Sequence, residues 1–498
     1  MLLADSLRYQ ASLRGAQTAI VDESRDWTFT TLLADATRVM SRLNTWSPTK
    51  RRIALLCSNK GEHLVALFGV AATLHEVVML DPKWSQTELK KAIEIFSPDL
   101  LLIDGDDARV DELSEHLETM VLQSALETEG GVAGESDRSK VVVGEGFRAR
   151  AARDDVFAIA PSGGTSGKLK GAAISHGATV SRFLTQLVEF GIEPGDRFLV
   201  CTPLFHGSAR SHALSHLYFG ASVRILDKFD PIKFQQYAGE TTATFCVPTM
   251  LNQIAKLESV KNPNLAVIAG GAAISSVLEN LIADRVTPRF YNYYAAVESG
   301  PIAIKRPQDN GADESAPAGF VGRAVFGAHV TIVDADEHGV GKVQIQADFL
   351  SSAIEGDVDE EVARQLADEG VYQTGDLGSL DDSGRLYLHG RADDVVISGG
   401  INIHPREVEA VIRGTFDVDE VVVLGIPDLR WGEKLVAIIA APTKHRMTYD
   451  LAKSMLVDHL SRVKIPKEIY WIDEMPITSM GKINTHQLRT HAQNQVKK

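Results

Sequence analysis

Residues Pro161 to Gly171 read PSGGTSGKLKG, with four glycines, three hydroxyl side chains and two lysines in eleven positions. Glycine lets a backbone approach a ligand closely and turn its amides inward. Inward amides, hydroxyls and ammonium groups together make a cradle for phosphate. Taken alone, such a stretch is as readily a solvated surface turn, so the rest of the chain must decide. The spacing excludes two nucleotide motifs. A Walker loop needs glycine, four residues, then Gly-Lys-Ser/Thr. Counting back from Gly167-Lys168 puts Ser162 at the first glycine and Leu169 at the Mg²⁺-binding hydroxyl. The Gly-x-Gly-x-x-Gly dinucleotide fingerprint is missing from the stretch too.

Other chemistry-bearing residues follow in short runs: His206 in PLFHGSA, Glu298 in YNYYAAVESG, Asp376 in YQTGD, Arg391 and Asp393 in GRADD, and Lys482 in PITSMGKI. His212 and His216 stand four apart and share a helix face, a spacing that zinc can use. HALSH lacks the glutamate of the zinc-protease motif, and no third ligand is evident, so a plain helix is expected. Cys57, Cys201 and Cys246 are widely separated. They make no metal spacing or disulfide framework, which suits a reducing, cytoplasmic location.

These residues need a scaffold. The chain has 498 residues, of which 44% are hydrophobic and 23% charged, with a net charge of -15. Length implies more than one domain, and the acidic balance argues against nonspecific nucleic-acid binding. MLLADSLRYQ lacks the pattern of a signal peptide, and LVALFGVAATL is too short to span a bilayer and reads as a buried helix. Apolar β-branched runs alternate with amphipathic ones. RRIALLC, EVVML and DLLLID read as strands, with helices at EHLVALFGVAATL and ELKKAIEIF between them. RFLVCTP, SVRILD, ATFCVP and LAVIAGG continue the rhythm, and AAISHGATVSRFLTQL reads as a helix after the glycine-rich loop. The expectation is an α/β, multidomain protein: mainly parallel sheets covered by helices, then a β-rich subdomain from about 319 to 392. LETEGGVAGESDRSK and PQDNGADESAPAG read as surface loops. A compact α+β domain is expected over 393–498, with helices at Pro405–Arg413 and YDLAKSMLVDHLSRV and a strand at EVVVLGI. The large domain then spans 1–392.

PSGGTSGKLKG resembles the phosphate loop of the acyl-adenylate-forming enzymes, which include acyl-CoA synthetases, peptide-synthetase adenylation domains and luciferases. The likeness recurs in family order at PLFHGSA, AGGAAI, YNYYAAVESG, GFVGRAVFG, YQTGDLGSLDDSGRLYLHGRADDVVISGGINIHPREVE and PITSMGKI. It covers nearly the whole chain and is nearest to benzoate-type and medium-chain acyl-CoA ligases. The resemblance implies ATP with Mg²⁺, CoA as co-substrate, and a small mobile C-terminal domain. Ser162, Gly164, Thr165, Ser166, Gly167 and Lys170 match the loop that holds the triphosphate. Gly271, Ala272, Asn292, Tyr293, Tyr294, Asp376 and Arg391 match positions around adenine and ribose. Glu298 and Thr165 stand on the Mg²⁺ side. Lys482 matches the lysine that reaches the α-phosphate and the acid. His206, Val247, Gly270 and Tyr294 would line the acyl pocket, which suits an aromatic, aliphatic or polycyclic acid. No aspartate is placed there to hold an α-ammonium group.

Forming an acyl adenylate brings two anions together, so the site must supply positive charge and positioning. A thiol then expels AMP. The family rotates its small domain between the steps about one residue, here Asp393, and presents Ser398, Gly399 and Gly400 to the thiol arm. Trp431 and Lys467 would meet the CoA nucleotide, with a separate carrier protein as the alternative thiol. Each of these residues alone would be ordinary: an exposed lysine or acid, a turn-capping aspartate, a packed histidine or tryptophan. Four positions depart from the family. Gly163 replaces Ser, Leu169 replaces Pro, Val297 replaces a Thr whose hydroxyl reaches the α-phosphate, and Thr485 replaces a basic residue. Because three of these face ATP, an adenylation-impaired homologue that converts supplied acyl-AMP is a second reading. A non-catalytic AMP or acyl-CoA sensor is a third.

Overall fold

The computed structural model describes all residues except 106, 116, 127–145, 164–168, 258–259, 310–318, 399–400, 417, 419, 429, 478–482 and 497–498. The loop expected at Leu126–Lys140 therefore falls almost wholly outside it. Among the described residues the strands form sheets of thirteen, seven and five.

The thirteen-stranded sheet has a parallel half. Thr18–Val21, Ser222–Ile225, Arg197–Val200, Ala243–Cys246, Ala266–Gly270 and Phe290–Ala296 lie side by side in that order. Each expected strand here is present and a little shorter. ATFCVP stops at Cys246 because Pro248 opens the helix Pro248–Ile254, where a missing N–H costs nothing. Beyond Phe290–Ala296 the pairing turns antiparallel, through Gly300–Lys305, Phe320–Ala324, Arg385–Arg391, Val371–Leu380, Gly341–Ala347 and Ala328–Val333. The β-rich segment thus extends the large sheet.

The seven-stranded sheet holds Arg52–Leu56 at its centre between Glu76–Met79 and Leu100–Ile103, all parallel. Helix Gly61–Ala71 is buried along nearly its whole length, as an apolar run of that size implies.

Four expectations are corrected. The described ends of the glycine-rich stretch are strand: Val156–Gly163 and Leu169–Ser175 pair antiparallel, with Ser162 opposite Lys170. Residues Ala172 to Ser175, expected as helix, are strand because all four pair with Val156–Gly163, and Ala172 and Ala173 pair on their other edge with Ile354 and Ala353. The helix begins only at His176, where the Ser175 hydroxyl accepts the Ala178 N–H, a common N-terminal cap. Likewise the helix in YDLAKSMLVDHLSRV ends at Leu456. Helix Pro405–Phe416 runs a turn further than expected.

The five-stranded sheet is built from Val396–Ser398, Ile401–Ile403, Glu420–Asp428, Gly432–Ala440 and Glu468–Ile472. It has its own core, including Val408, Ile412, Leu435, Ile439 and Leu456, as an independently packed unit requires. Among the described residues no helix is long and apolar enough to cross a membrane.

Candidate active site

Four neighbouring parallel strands of the large sheet end in expected site residues. Arg197–Val200 leads to His206, Ala243–Cys246 to Val247, Ala266–Gly270 to Gly271, and Phe290–Ala296 to Glu298. The carboxyl ends of parallel strands are where open α/β sheets bind ligands. Ser162 and Lys170 arrive from this antiparallel strand pair of the second sheet.

The first cluster is ionic. Lys170 Nζ lies 2.6 Å from Glu298 Oε1, and the Ser162 hydroxyl donates to the same oxygen at 3.3 Å. Glu298 is buried, and its charge acts on the nearby Tyr372 phenol. Burial first, and then the Glu298 charge, push the Tyr372 hydroxyl well above its ordinary pKa. Carboxylate and hydroxyl are hard oxygen donors. Among the described residues no three His, Cys, Asp or Glu side chains gather to hold a metal. Oxygen donors of this kind suit Mg²⁺, which takes few protein ligands and is otherwise bound by phosphate oxygens and water.

The second cluster is a ribose-sized set of polar groups. Asp376 and Arg391 face each other on paired strands. Arg391 Nη1 is 3.6 Å from Asp376 Oδ1 and donates to Thr374 O at 3.2 Å. The Tyr294 hydroxyl donates to Asp376 Oδ2 at 2.5 Å. Burial, then the Asp376 charge, raise the Tyr294 pKa. Gly375, between Thr374 and Asp376, has φ of +74° with Arg391 3.0 Å from where a Cβ would sit, so glycine is required there.

Other residues are placed differently from expectation. Strand alternation puts successive side chains on opposite faces. Tyr293 therefore turns away from Tyr294 into the core, among Phe190, His212 and Phe245, and its ring is not available to a nucleotide. Asn292 donates to Glu279 at 2.7 Å, and Lys305 completes that set at 2.5 Å. Gly270 has no room for a side chain, since a Cβ would meet Tyr293 O at 2.3 Å. Gly271 and Ala272 are exposed just beyond it. His206 precedes helix Gly207–Phe219, its ring 4.4 Å from Phe205. Val247 is buried before Pro248. Val297 packs against Ala160, Ile174 and Ala178, so its methyls are used in apolar contact. His212 and His216 each bond a carbonyl one turn back in their own helix, at 2.8 and 2.7 Å.

In the small domain, Ser398 is buried at the end of its strand. Trp431 is flanked by two cations, Arg430 at 5.0 Å and Lys467 at 5.1 Å from the ring centroid. Asp393 is exposed in a short 3₁₀ turn, Ala392–Asp394, between the large sheet and the small one. Gly164, Thr165, Ser166, Gly167, Gly399, Gly400 and Lys482 lie outside the described residues. Sequence reasoning missed Tyr372, whose phenol feels the Glu298 charge, and Arg182, which donates to the Glu298 carbonyl. Tyr372 sat within a quoted motif, whereas Arg182 looks like any helical arginine.

Residues 7–346 match the family described as AMP-binding enzyme, and residues 407–482 match the AMP-binding enzyme C-terminal domain. Among curated relatives, an indoleacetate–CoA ligase of Aromatoleum aromaticum is 28% identical, with 98% of each chain covered. A 2-succinylbenzoate–CoA ligase of Lactococcus lactis is 26% identical, covering 93% of this chain and 96% of that one. A long-chain-fatty-acid–CoA ligase of Mycobacterium tuberculosis is 28% identical, with 96% of each covered. Among solved structures, ATP-bound MatB from Rhodopseudomonas palustris superposes with TM-score 0.86 at 21% identity, covering 99% of both chains. The o-succinylbenzoate CoA synthetase MenE from Bacillus subtilis, in complex with its acyl-adenylate intermediate, gives 0.84 at 23% identity, covering 97% of both. These two likenesses show the fold. With both family matches in chain order, the protein belongs to the AMP-binding enzyme family.

Proposed function

We propose that this protein is an AMP-forming acid–CoA ligase. It joins an apolar or aromatic carboxylic acid to ATP as acyl-AMP, then passes the acyl group to CoA. The carrying observation is the pair of clusters at the strand ends: Lys170 with Glu298 and Ser162, and Tyr294 with Asp376 and Arg391. One suits a triphosphate and its metal, the other a ribose.

In the first step the acid's carboxylate oxygen attacks the α-phosphorus, and pyrophosphate leaves. Lys170 and Lys482 offset the negative charge that gathers there. A bound Mg²⁺ would supply further positive charge to the phosphates. Glu298 and Thr165 are the residues that would hold it. Asp376 accepts from the ribose hydroxyls, and Arg391 steadies Asp376. In the second step CoA's sulfur attacks the acyl carbon and AMP leaves. Asp393 is the hinge between the two arrangements, with the domain boundary at 392/393. Ser398, Gly399 and Gly400 border the thiol arm, and Trp431 between its two cations receives the CoA nucleotide. The acid sits among His206, Val247 and Tyr294, groups that are apolar or aromatic apart from one imidazole.

The curated relatives carry ligase names, which favours the full two-step reaction over an adenylation-impaired homologue or a sensor. The test is to incubate the protein with ATP, Mg²⁺, CoA and a panel of arylacetic, benzoic and fatty acids, reading thioester by mass. Thioester and AMP forming together with at least one acid supports the reading. Thioester formed only from added acyl-AMP, or none from any acid, overturns it.

A further inference from the structure

Glu298 follows the strand Phe290–Ala296 in a tight turn before Gly300–Lys305. A turn of that kind does not fix a carboxylate by itself. What fixes it lies behind. Arg182, on helix His176–Phe190, is buried in the interior. Its Nε donates to Phe349 O at 2.9 Å. Its Nη2 reaches Val297 O, Glu298 O and the Ser351 hydroxyl, each at 3.4 Å. Ser351 N donates to Glu298 O at 2.9 Å. Gly300 closes the turn at φ +70°, and a Cβ there would meet Arg182 Nε at 2.7 Å. The hydrogen-bond partners of this buried cation are three carbonyls and one hydroxyl, all on the two segments that carry or brace Glu298.

Burying a guanidinium is costly unless it is matched. Burial lowers the Arg182 pKa to about 10, and the Glu298 charge opposes that. The planar fork of arginine reaches several acceptors at fixed angles, which a lysine cannot do. On the far side, the Glu298 carboxylate is met by Lys170 and Ser162. The backbone of Glu298 is thus held from one side and its carboxylate from the other.

We propose that Arg182 is a positioning residue, which sets the Glu298 turn so that its carboxylate is presented to Mg²⁺-bound ATP. This rests on the reading of Glu298 as the Mg²⁺-side carboxylate.

The probe is a non-cleavable ATP, α,β-methylene-ATP, titrated by calorimetry with Mg²⁺ and with EDTA. In the unaltered protein Mg²⁺ tightens binding. Arg182→Met is expected to lose about tenfold or more of that Mg²⁺-dependent gain, while binding in EDTA changes by less than about threefold. Arg182→Lys keeps the charge without the fork and is expected to fall between. Glu298→Gln runs in parallel. If it loses the gain while Arg182→Met keeps it, the positioning inference is wrong and the Glu298 reading stands. If Glu298→Gln keeps the gain, the Glu298 reading fails and takes this inference with it. Equal weakening with and without Mg²⁺ in Arg182→Met marks a merely structural role and also overturns the inference. Should Arg182→Met not fold, Arg182→Lys and Ser351→Ala carry the same comparison, since each removes part of the brace.

Discussion

Lys170 Nζ sits 2.6 Å from Glu298 Oε1, an ion pair that joins an antiparallel strand pair of one sheet to the strand end of another. The ammonium is partly exposed and the carboxylate is not. The lysine is therefore the partner that can move when phosphates arrive. Glu298→Gln is expected to slow pyrophosphate exchange by roughly 10²–10³. Conversion of supplied acyl-AMP and CoA to thioester should change by less than about threefold, because that step makes no use of the triphosphate. Equal losses in both assays would remove Glu298 from the ATP side.

Asp376 accepts from Tyr294 and faces Arg391. Asp376→Asn keeps the shape and removes the charge, a loss of about 1.5–3 kcal/mol for charge-assisted bonds. AMP binding is expected to weaken about 10- to 100-fold by calorimetry. Tyr294→Phe should cost only a few-fold, since the ribose hydroxyls and Arg391 still satisfy the carboxylate. An Asp376→Asn protein that binds AMP normally would contradict the ribose assignment.

Asp393 lies in the turn Ala392–Asp394, whose closing bond runs from Val395 N to Ala392 O and does not use the Asp393 N–H. Proline can enter there without losing that bond, but it fixes φ. Asp393→Pro should leave pyrophosphate exchange within about threefold and slow thioester formation by roughly 100-fold, if rotation needs that torsion. Single-turnover mixing of acyl-AMP with CoA checks it. Unchanged thioester rates would place the hinge elsewhere.

The buried histidines give the fold a pH dependence. Burial lowers the pKa of His63 and His212 to about 3 and of His176 and His216 to about 4. The unfolded chain binds protons on these rings near pH 6.5, while the folded chain does not. Their contribution is thus complete above about pH 6.5 and is lost as pH falls toward 4 and 3. His212→Phe, in a pocket of Phe190, Phe198, Phe245 and Tyr293, should flatten the fall of melting temperature between pH 6.5 and 4. An unchanged slope would mean that His212 is protonated in the folded state.

Much of the scaffold was legible because its period was strong. Arg52–Leu56, Glu76–Met79 and Leu100–Ile103 are short apolar runs between turn signals, and they fell within a residue or two of expectation. Ala172 to Ser175 was misread because a small, alanine-rich run fits either element. Its strand state comes from partners at Val156–Gly163 and Ala353–Gly356 that are distant in sequence. The core position of the Tyr293 ring was not legible for a related reason: adjacent tyrosines look alike in sequence, and only the strand's alternation separates them.

The sequence alone determined the family and the chemistry to look for, because fixed residue types at Glu298, Asp376, Arg391 and Lys482 recur in one order. The tertiary structure decided which groups meet. Lys170 finds Glu298, and Tyr294 finds Asp376, across sheet pairings that no local pattern encodes. It alone exposed Arg182, a residue whose helical surroundings in sequence resemble any surface turn. Its role follows from burial against carbonyls of the Glu298 turn, and burial by distant segments cannot be read from a single helix.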